Sequence, residues 1–139
     1  MRYMLDTNIC IYLIKNNAPD VVKRLRAVRR GDAVMSVLTY AELRAGVEIN
    51  SISRSEAARA LDIRALQLLT TRVTVLPFME SAAECFGVMR ATLKERNRDT
   101  MDRLIASHAA SLGLILVTNN ETNFKDYAEL TVENWVASH

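Results

Sequence analysis

Two cysteines in 139 residues are too few to staple a fold with disulfides. Cys10 and Cys85 also lie too far apart in the chain for metal-ligand spacing, so both read as reduced core thiols of a cytoplasmic protein. No apolar run approaches the roughly 20 residues of a membrane span. The first residues carry no basic-then-apolar export signal, because Asp6 interrupts the run too early. No Gly-x-Gly-x-x-Gly and no P-loop occurs, which sets aside enzymes that cradle a nucleotide cofactor on glycines. Charge of one sign is not in excess either: the net charge of +2 is too small to mark a nucleic-acid partner by itself. Repeats, low-complexity segments and interdomain linkers are likewise missing. Half of the residues are hydrophobic, so residues 1–139 are expected to form one domain with a proper core.

What is present starts with Tyr3-Met4-Leu5, long enough for one buried parallel strand. Asp6 follows at once, then Thr7 and Asn8, then the apolar segment Ile9 to Ile14. Thr7 or Asn8 can N-cap a helix there, which sets Asp6 at the carboxyl end of a strand, facing a helix start. Ligands bind at that edge in open α/β sheets. An aspartate in this place is equally an ordinary helix cap. After the turn Asn16-Asn17-Ala18-Pro19, a second helix is expected from about Pro19 to Arg30. Val21, Val22, Leu25 and Val28 take one side of it, and Lys23, Arg24, Arg26, Arg29 and Arg30 the rest. Such a charge run is usually a solvated face.

Gly31-Asp32 turns the chain into a second short strand, Ala33-Val34-Met35, ending at Ser36. Ser36 is a plausible N-cap for the third helix. On a 3.6-residue period Leu38, Glu42, Ala45 and Ile49 fall on one stripe, which aims the Glu42 carboxylate at the core. A buried carboxylate is normally paired, metal-bound or protonated. Arg44, two residues on, does not share its face. Glu42 therefore needs a partner from elsewhere.

Ser53 or Ser55 can cap a long fourth helix to about Thr70, whose Ala57, Leu61, Ile63, Ala65, Leu66 and Leu69 suggest burial in the core or against another subunit. Val73-Thr74-Val75-Leu76 is the third strand, and a fifth helix follows from about Met79 to Lys94. The sixth, Asp102 to Leu112, stops at Gly113. Asp102 shares a stripe with Ile105, Ala106, Ala109 and Leu112, so it is an inward carboxylate in the first helical turn, where the helix dipole favours negative charge. Asp99 reads more simply as a cap of this helix, and His108 as a satisfied core histidine. Leu114-Ile115-Leu116-Val117 is the clearest strand, and Thr118-Asn119-Asn120 follow at its carboxyl end. Asn123 to Tyr127 reads as a brief helical turn, Thr131-Val132 as an edge strand, and Trp135 as a cover for one end of the core.

Together these segments resemble a family. Leu-Asp-Thr-Asn at residues 5–8, Ser36-x-x-Thr39-x-x-Glu42, Asp102-x-x-Ile105-Ala106-x-His108-Ala109, and Val117-Thr118-Asn119-Asn120 with Phe124 are similar to the PIN-domain ribonucleases. Within that family the pattern most resembles the VapC toxins of bacterial toxin–antitoxin pairs, and the likeness runs over nearly the whole chain. The resemblance implies a three-layer α/β/α sandwich around a parallel sheet, metal-dependent cleavage of RNA such as tRNA or rRNA, and inhibition by a bound VapB-type antitoxin. It also implies a homodimer that joins the antitoxin in a hetero-oligomer. Asp6, Glu42 and Asp102 match the family's acidic triad. Asn120 stands where many members place a fourth acid, with Asp99 and Glu121 as nearby carboxylates able to compensate.

The chemistry agrees with that reading. Three carboxylates in a partly dry cleft repel one another unless a cation neutralises them. Oxygen-only ligands suit Mg²⁺ or Mn²⁺ rather than zinc. Asp6 and Asp102 are expected to bind metal directly, Glu42 to bind metal or orient the attacking water, and Thr7, Asn8, Thr118 and Asn120 to hold the outer shell. Arg96, Arg98 and Arg103 are candidate contacts to RNA phosphates. A phosphatase with an aspartyl nucleophile would need a second acid two residues after Asp6, and that position is Asn8. A non-catalytic module whose acids bind only a partner's arginines is the remaining alternative.

Overall fold

The computed structural model describes residues 1–92, 100–127 and 129–136. Five short strands, β1 (Tyr3–Leu5), β2 (Ala33–Ser36), β3 (Thr74–Leu76), β4 (Ile115–Val117) and β5 (Thr131–Glu133), form one sheet in the order β3-β2-β1-β4-β5. Every pairing is parallel, with Met4 opposite both Val34 and Leu116. β1 is central, and the chain leaves it on one side for β2 and β3 and on the other for β4 and β5. The point where strand order reverses is where such sheets open a crevice at their carboxyl edge.

Alternation along the strands separates two cores. Tyr3, Leu5, Ala33, Met35 and Val117 pack with Ile9, Val21, Leu66 and Trp135 on one face. Met4, Val34 and Leu116 pack with Ile105, Ala109 and Phe124 on the other. Helices α1 (Thr7–Lys15), α2 (Pro19–Ala27) and α4 (Glu56–Arg72) cover the first face, and α5 (Glu80–Thr92) and α6 (Thr100–Ser111) the second. α3 (Val37–Ser51) reaches both, through Leu43 and Leu38. The result is the expected α/β fold with helices on both faces of a parallel sheet. No helix among the described residues is long and apolar enough to cross a membrane.

Several local expectations shift. The first helix is capped by Asp6, whose Oδ1 accepts from the Ile9 N–H at 2.9 Å, rather than by Thr7 or Asn8. It stops where Asn16 takes the left-handed conformation (φ 52°). α2 ends at Ala27, three residues before Arg30, because Val28 is extended and the Arg72 guanidinium donates to the carbonyls of Leu25 (2.6 Å) and Val28 (2.7 Å). Ser55, not Ser53, caps α4. Along α4 only Leu66 and Leu69 are fully buried, while Leu61 is 70% exposed.

The largest shift is the face of α3. Thr39, Leu43 and Val47 form its buried stripe, whereas Ala45 and Ile49 face outward. Apolar spacing located a stripe but could not tell an inward one from an apolar face left in solvent. Glu42 consequently lies at the border of the buried surface, half-buried, not at its centre. In α6 the inward run is Ile105 to Ala109, with Leu112 41% exposed beyond the helix end and Gly113 turning the chain at φ 67°.

Candidate active site

All five strands run the same way, so Asp6, Ser36 and Thr118, each at the carboxyl end of a strand or just beyond it, share one edge of the sheet. Asp6 is 6% exposed. Its carboxylate receives the Thr118 hydroxyl and the backbone N–H groups of Asn8 and Ile9. Desolvation nonetheless dominates and raises its pKa, and the negative charge of Glu42 pushes the same way. Glu42 is brought beside it by the Thr7 hydroxyl, which donates to Oε1 at 2.5 Å and lies 3.4 Å from the Thr39 hydroxyl. The partner that Glu42 lacked in its own helix is thus Thr7, from the first turn of α1.

Asp102 occupies the first turn of α6, half-buried. His108, six residues on in that helix, contacts Ser36 Oγ through Nδ1 at 2.8 Å. Because α6 feeds the amino end of β4, its own first turn lies about 9 Å along the axis, toward and beyond the carboxyl edge. Asp102 therefore lies on the side of α6 nearer the carboxyl edge that carries Asp6. Among the described residues no three His, Cys, Asp or Glu side chains stand together as a finished metal cage.

The remaining candidates divide. Thr7 and Thr118 belong to the assembled site, as above. Asn8 contributes its backbone N–H to Asp6, while its side chain is exposed. Asn120 is exposed, and its backbone N–H donates to Thr118 Oγ1 at 3.1 Å. Glu121 is exposed at the start of a 3₁₀ turn, Glu121–Phe124. Arg103 is a correction: it is only 3% exposed, packed into the inner side of α6, where a guanidinium is not offered to a polyanion at the surface. Arg96, Arg98 and Asp99 lie outside the described residues.

A family model described as the PIN domain matches residues 3–130. Ribonuclease VapC1 of Haemophilus influenzae (strain R2866) is 39% identical over 138 residues, covering 97% of this chain and 98% of that protein. The chain belongs to the PIN domain family. A second relative, the tRNA(fMet)-specific endonuclease VapC of Shigella flexneri, is 35% identical, again over 97% of this chain and 98% of its own. Two solved PIN-domain structures superpose over 97% of this chain and 98% of theirs. They are VapBC-1 from nontypeable Haemophilus influenzae (TM-score 0.82, 39% identity) and DNA-bound VapBC from Salmonella typhimurium (TM-score 0.85, 32% identity).

In this PIN domain the donor set fits a hard divalent cation. The Asp6 and Glu42 side chains present only oxygen, and the raised Asp6 pKa registers chiefly its burial, with the Glu42 charge adding to it. A small octahedral cation needs only one or two protein carboxylates, taking its other ligands from water and substrate phosphate. Asp6 and Glu42 supply that number of carboxylates.

Spacing did not reveal two supports of the site. The Asn119 amide donates to the Tyr12 hydroxyl at 2.8 Å, tying the end of β4 to α1. Ser36 also joins three elements: it caps α3 through the Leu38 N–H (3.1 Å) while holding His108, whose ring also bonds the Pro77 carbonyl beyond β3. A serine at a strand end and a histidine in an apolar helix were visible signals, but their meeting across 72 residues was not.

Proposed function

We propose that residues 1–139 act as one nuclease domain that hydrolyses RNA phosphodiester bonds with Mg²⁺ or Mn²⁺, as the toxin of a cytoplasmic toxin–antitoxin pair. The observation that carries this is the buried Asp6 carboxylate, held by Thr118 and two backbone N–H groups beside Glu42 at the switch point of the sheet. Asp6 and Asp102 would hold the ion, and Glu42 would join them or take up the proton of the attacking water. Thr7 and Thr118 fix the two carboxylates in place. The chemistry a bound ion supplies is a more acidic water and neutralised phosphoryl charge. The water oxygen forms the new bond to phosphorus, and the bond to the leaving ribose oxygen breaks. The related ribonuclease VapC and tRNA(fMet)-specific endonuclease support RNA as the substrate class, with tRNA or rRNA as the expected targets.

The similar VapBC structures support a VapB-type antitoxin as partner. A groove of about 270 Å³ between α1, α3 and α4 is lined by Ile11, Ile14, Leu43 and Val47 and reaches Glu42. An apolar antitoxin segment seated there would bring an arginine or lysine to the acids in place of the cation. The apolar outer face of α4 supports a homodimer within the hetero-oligomer.

The test is cleavage of cellular RNA by the isolated chain, with and without Mn²⁺, followed by sequencing of the new ends. Cleavage abolished by chelation and restored by Mn²⁺ is expected; cleavage indifferent to chelation would overturn the metal role. Calorimetric titration adds a finer check. Because the Asn120 amide brings no charge, one tight Mn²⁺ site is expected in the RNA-free chain, strengthened by Asn120→Asp. Two equally tight sites would show that another group supplies the missing charge.

A further inference from the structure

We infer that the basic face of α2 and the turn after it form a docking track for the RNA backbone, remote from the scissile bond. The inference rests on the ribonuclease reading above. Residues 19–30 hold five basic side chains against Asp20 alone, a larger positive excess than that of the whole chain, whose net charge is +2. All five are exposed. Among the described residues Lys23, Arg26, Arg29 and Arg30 join no ion pair.

The contrast with α3 and α4 is informative. There, Arg44, Arg54 and Arg59 are matched by Glu48, Glu56 and Asp62. On α3, α4 and the loop between them three basic residues are thus matched, with exposed Arg64 the exception, whereas on α2 and the turn after it only Arg24 is matched, by Glu133. Crowded like charges repel within a Debye length of about 8 Å, and a polyanion relieves that repulsion.

The track is also continuous with the site. Arg24 donates to Glu133 Oε1 at 3.0 Å and lies over the Trp135 ring, 5.3 Å from its centroid. The Glu133 carbonyl accepts from the Thr118 N–H at 3.0 Å, and Thr118 holds Asp6. At the other end, the Arg29 carbonyl accepts from the Asp32 N–H, and the Asp32 carbonyl accepts from the N–H groups of Arg2 and Tyr3, at the amino end of β1. The basic residues thus run from the active edge to the opposite edge, about 10 Å apart along three-residue strands. Phosphate contacts of this kind position a nucleic acid without reading its sequence. An RNA longer than the cleft would lie along them.

The experiment compares steady-state cleavage of unfractionated tRNA and of a short RNA oligonucleotide that fills the acidic cleft alone. The combined variant is Lys23→Gln, Arg26→Gln, Arg29→Gln, Arg30→Gln, with Arg26→Lys, Arg29→Lys, Arg30→Lys as the charge-preserving control. The glutamine variant should raise KM for tRNA about tenfold or more with kcat little changed. Its log–log dependence of kcat/KM on salt should be shallower by about 3, at about 0.7 per lost contact. The short RNA should be cleaved normally, and the lysine variant should behave as the unaltered chain does. An unchanged KM for tRNA, or an equal loss on both substrates, overturns the track, as does a loss confined to antitoxin affinity. Failure of the unaltered chain to cleave either RNA would overturn the ribonuclease reading itself, and the track with it.

Discussion

At the carboxyl edge of the sheet, Asp6, Ser36, Thr39 and Thr118 are withdrawn from solvent, whereas on the outer sides of α3 and α4 Ile49, Ile52, Leu61 and Leu68 are turned toward it. The two regions depart from ordinary partition in opposite directions. Burying a carboxylate costs several kcal/mol unless it is matched, and the network around Asp6 matches it only in part, since desolvation still raises its pKa. Exposing Ile52 (85%) and Leu61 (70%) forgoes about 25 cal/mol for each Å² left uncovered. Polar atoms held inside without full compensation are what the proposed cation and phosphate would complete. Apolar atoms held outside indicate protein. The two regions differ in what would complete them, and each can be perturbed alone.

The largest effect is expected at the buried edge. Asp6→Asn, Glu42→Gln and Asp102→Asn should each reduce RNA cleavage by more than about 100-fold, the upper range for residues that merely support metal ligands. Folding should persist, because asparagine also caps helices and glutamine still accepts from Thr7. Gel-based cleavage and circular dichroism on the same samples check both halves. Near-native cleavage by any one variant removes that residue from the catalytic set.

Next comes Thr118→Val, which keeps shape and burial but deletes the hydroxyl that bonds Asp6 and receives the Asn120 N–H. Cleavage should fall about 10- to 100-fold. Asn120→Ala should slow it less than any change in the triad, since its side chain is exposed. A larger loss for Asn120→Ala than for Thr118→Val would reverse their assigned importance.

On the outer side, Ile52→Glu with Leu61→Glu should shift the chain from dimer to monomer by light scattering. Cleavage of a short RNA should stay within about threefold, a change worth well under 1 kcal/mol. A dimer that survives both charges places the subunit interface elsewhere.

These two regions were not equally legible in the sequence. Strands such as Leu114 to Val117 and the strand-to-helix junction at Asp6 were readable because local spacing decides them. The role of Asp6 as cap was readable only as an alternative, and it proved compatible with the site, because one oxygen caps Ile9 while Thr118 binds the carboxylate. The outward turn of Ala45 and Ile49 was not legible. An apolar stripe on α3 is the same pattern whether it meets the core or a second protein, and the choice depends on how α1, α4 and α6 dock around it. Arg103 was illegible for a related reason: charge type suggests the surface, but its 3% exposure is a property of the packed layers.

The smallest expected effect concerns the junction that joins the two helices carrying Glu42 and Asp102. His108 is 1% exposed, with Ser36 on Nδ1, the Pro77 carbonyl as its other partner, and the Phe78 ring edge-on at 5.2 Å. Pro77 can only accept, so the ring carries its proton toward Pro77, and the Ser36 hydroxyl donates to Nδ1 while its oxygen accepts from Leu38. Burial lowers the pKa of His108, so the folded chain keeps it neutral where the unfolded chain begins to protonate. The unfolded state then binds more protons, and stability falls as pH drops through the unfolded value of about 6.5, levelling off only below the folded value. His108→Gln should lower stability at pH 8 through imperfect packing, yet show a shallower loss between pH 7 and pH 5. Urea melts across that range decide it: equal slopes for the two proteins would mean that His108 takes up its proton alike in the folded and unfolded chain, and that its burial carries no pH dependence.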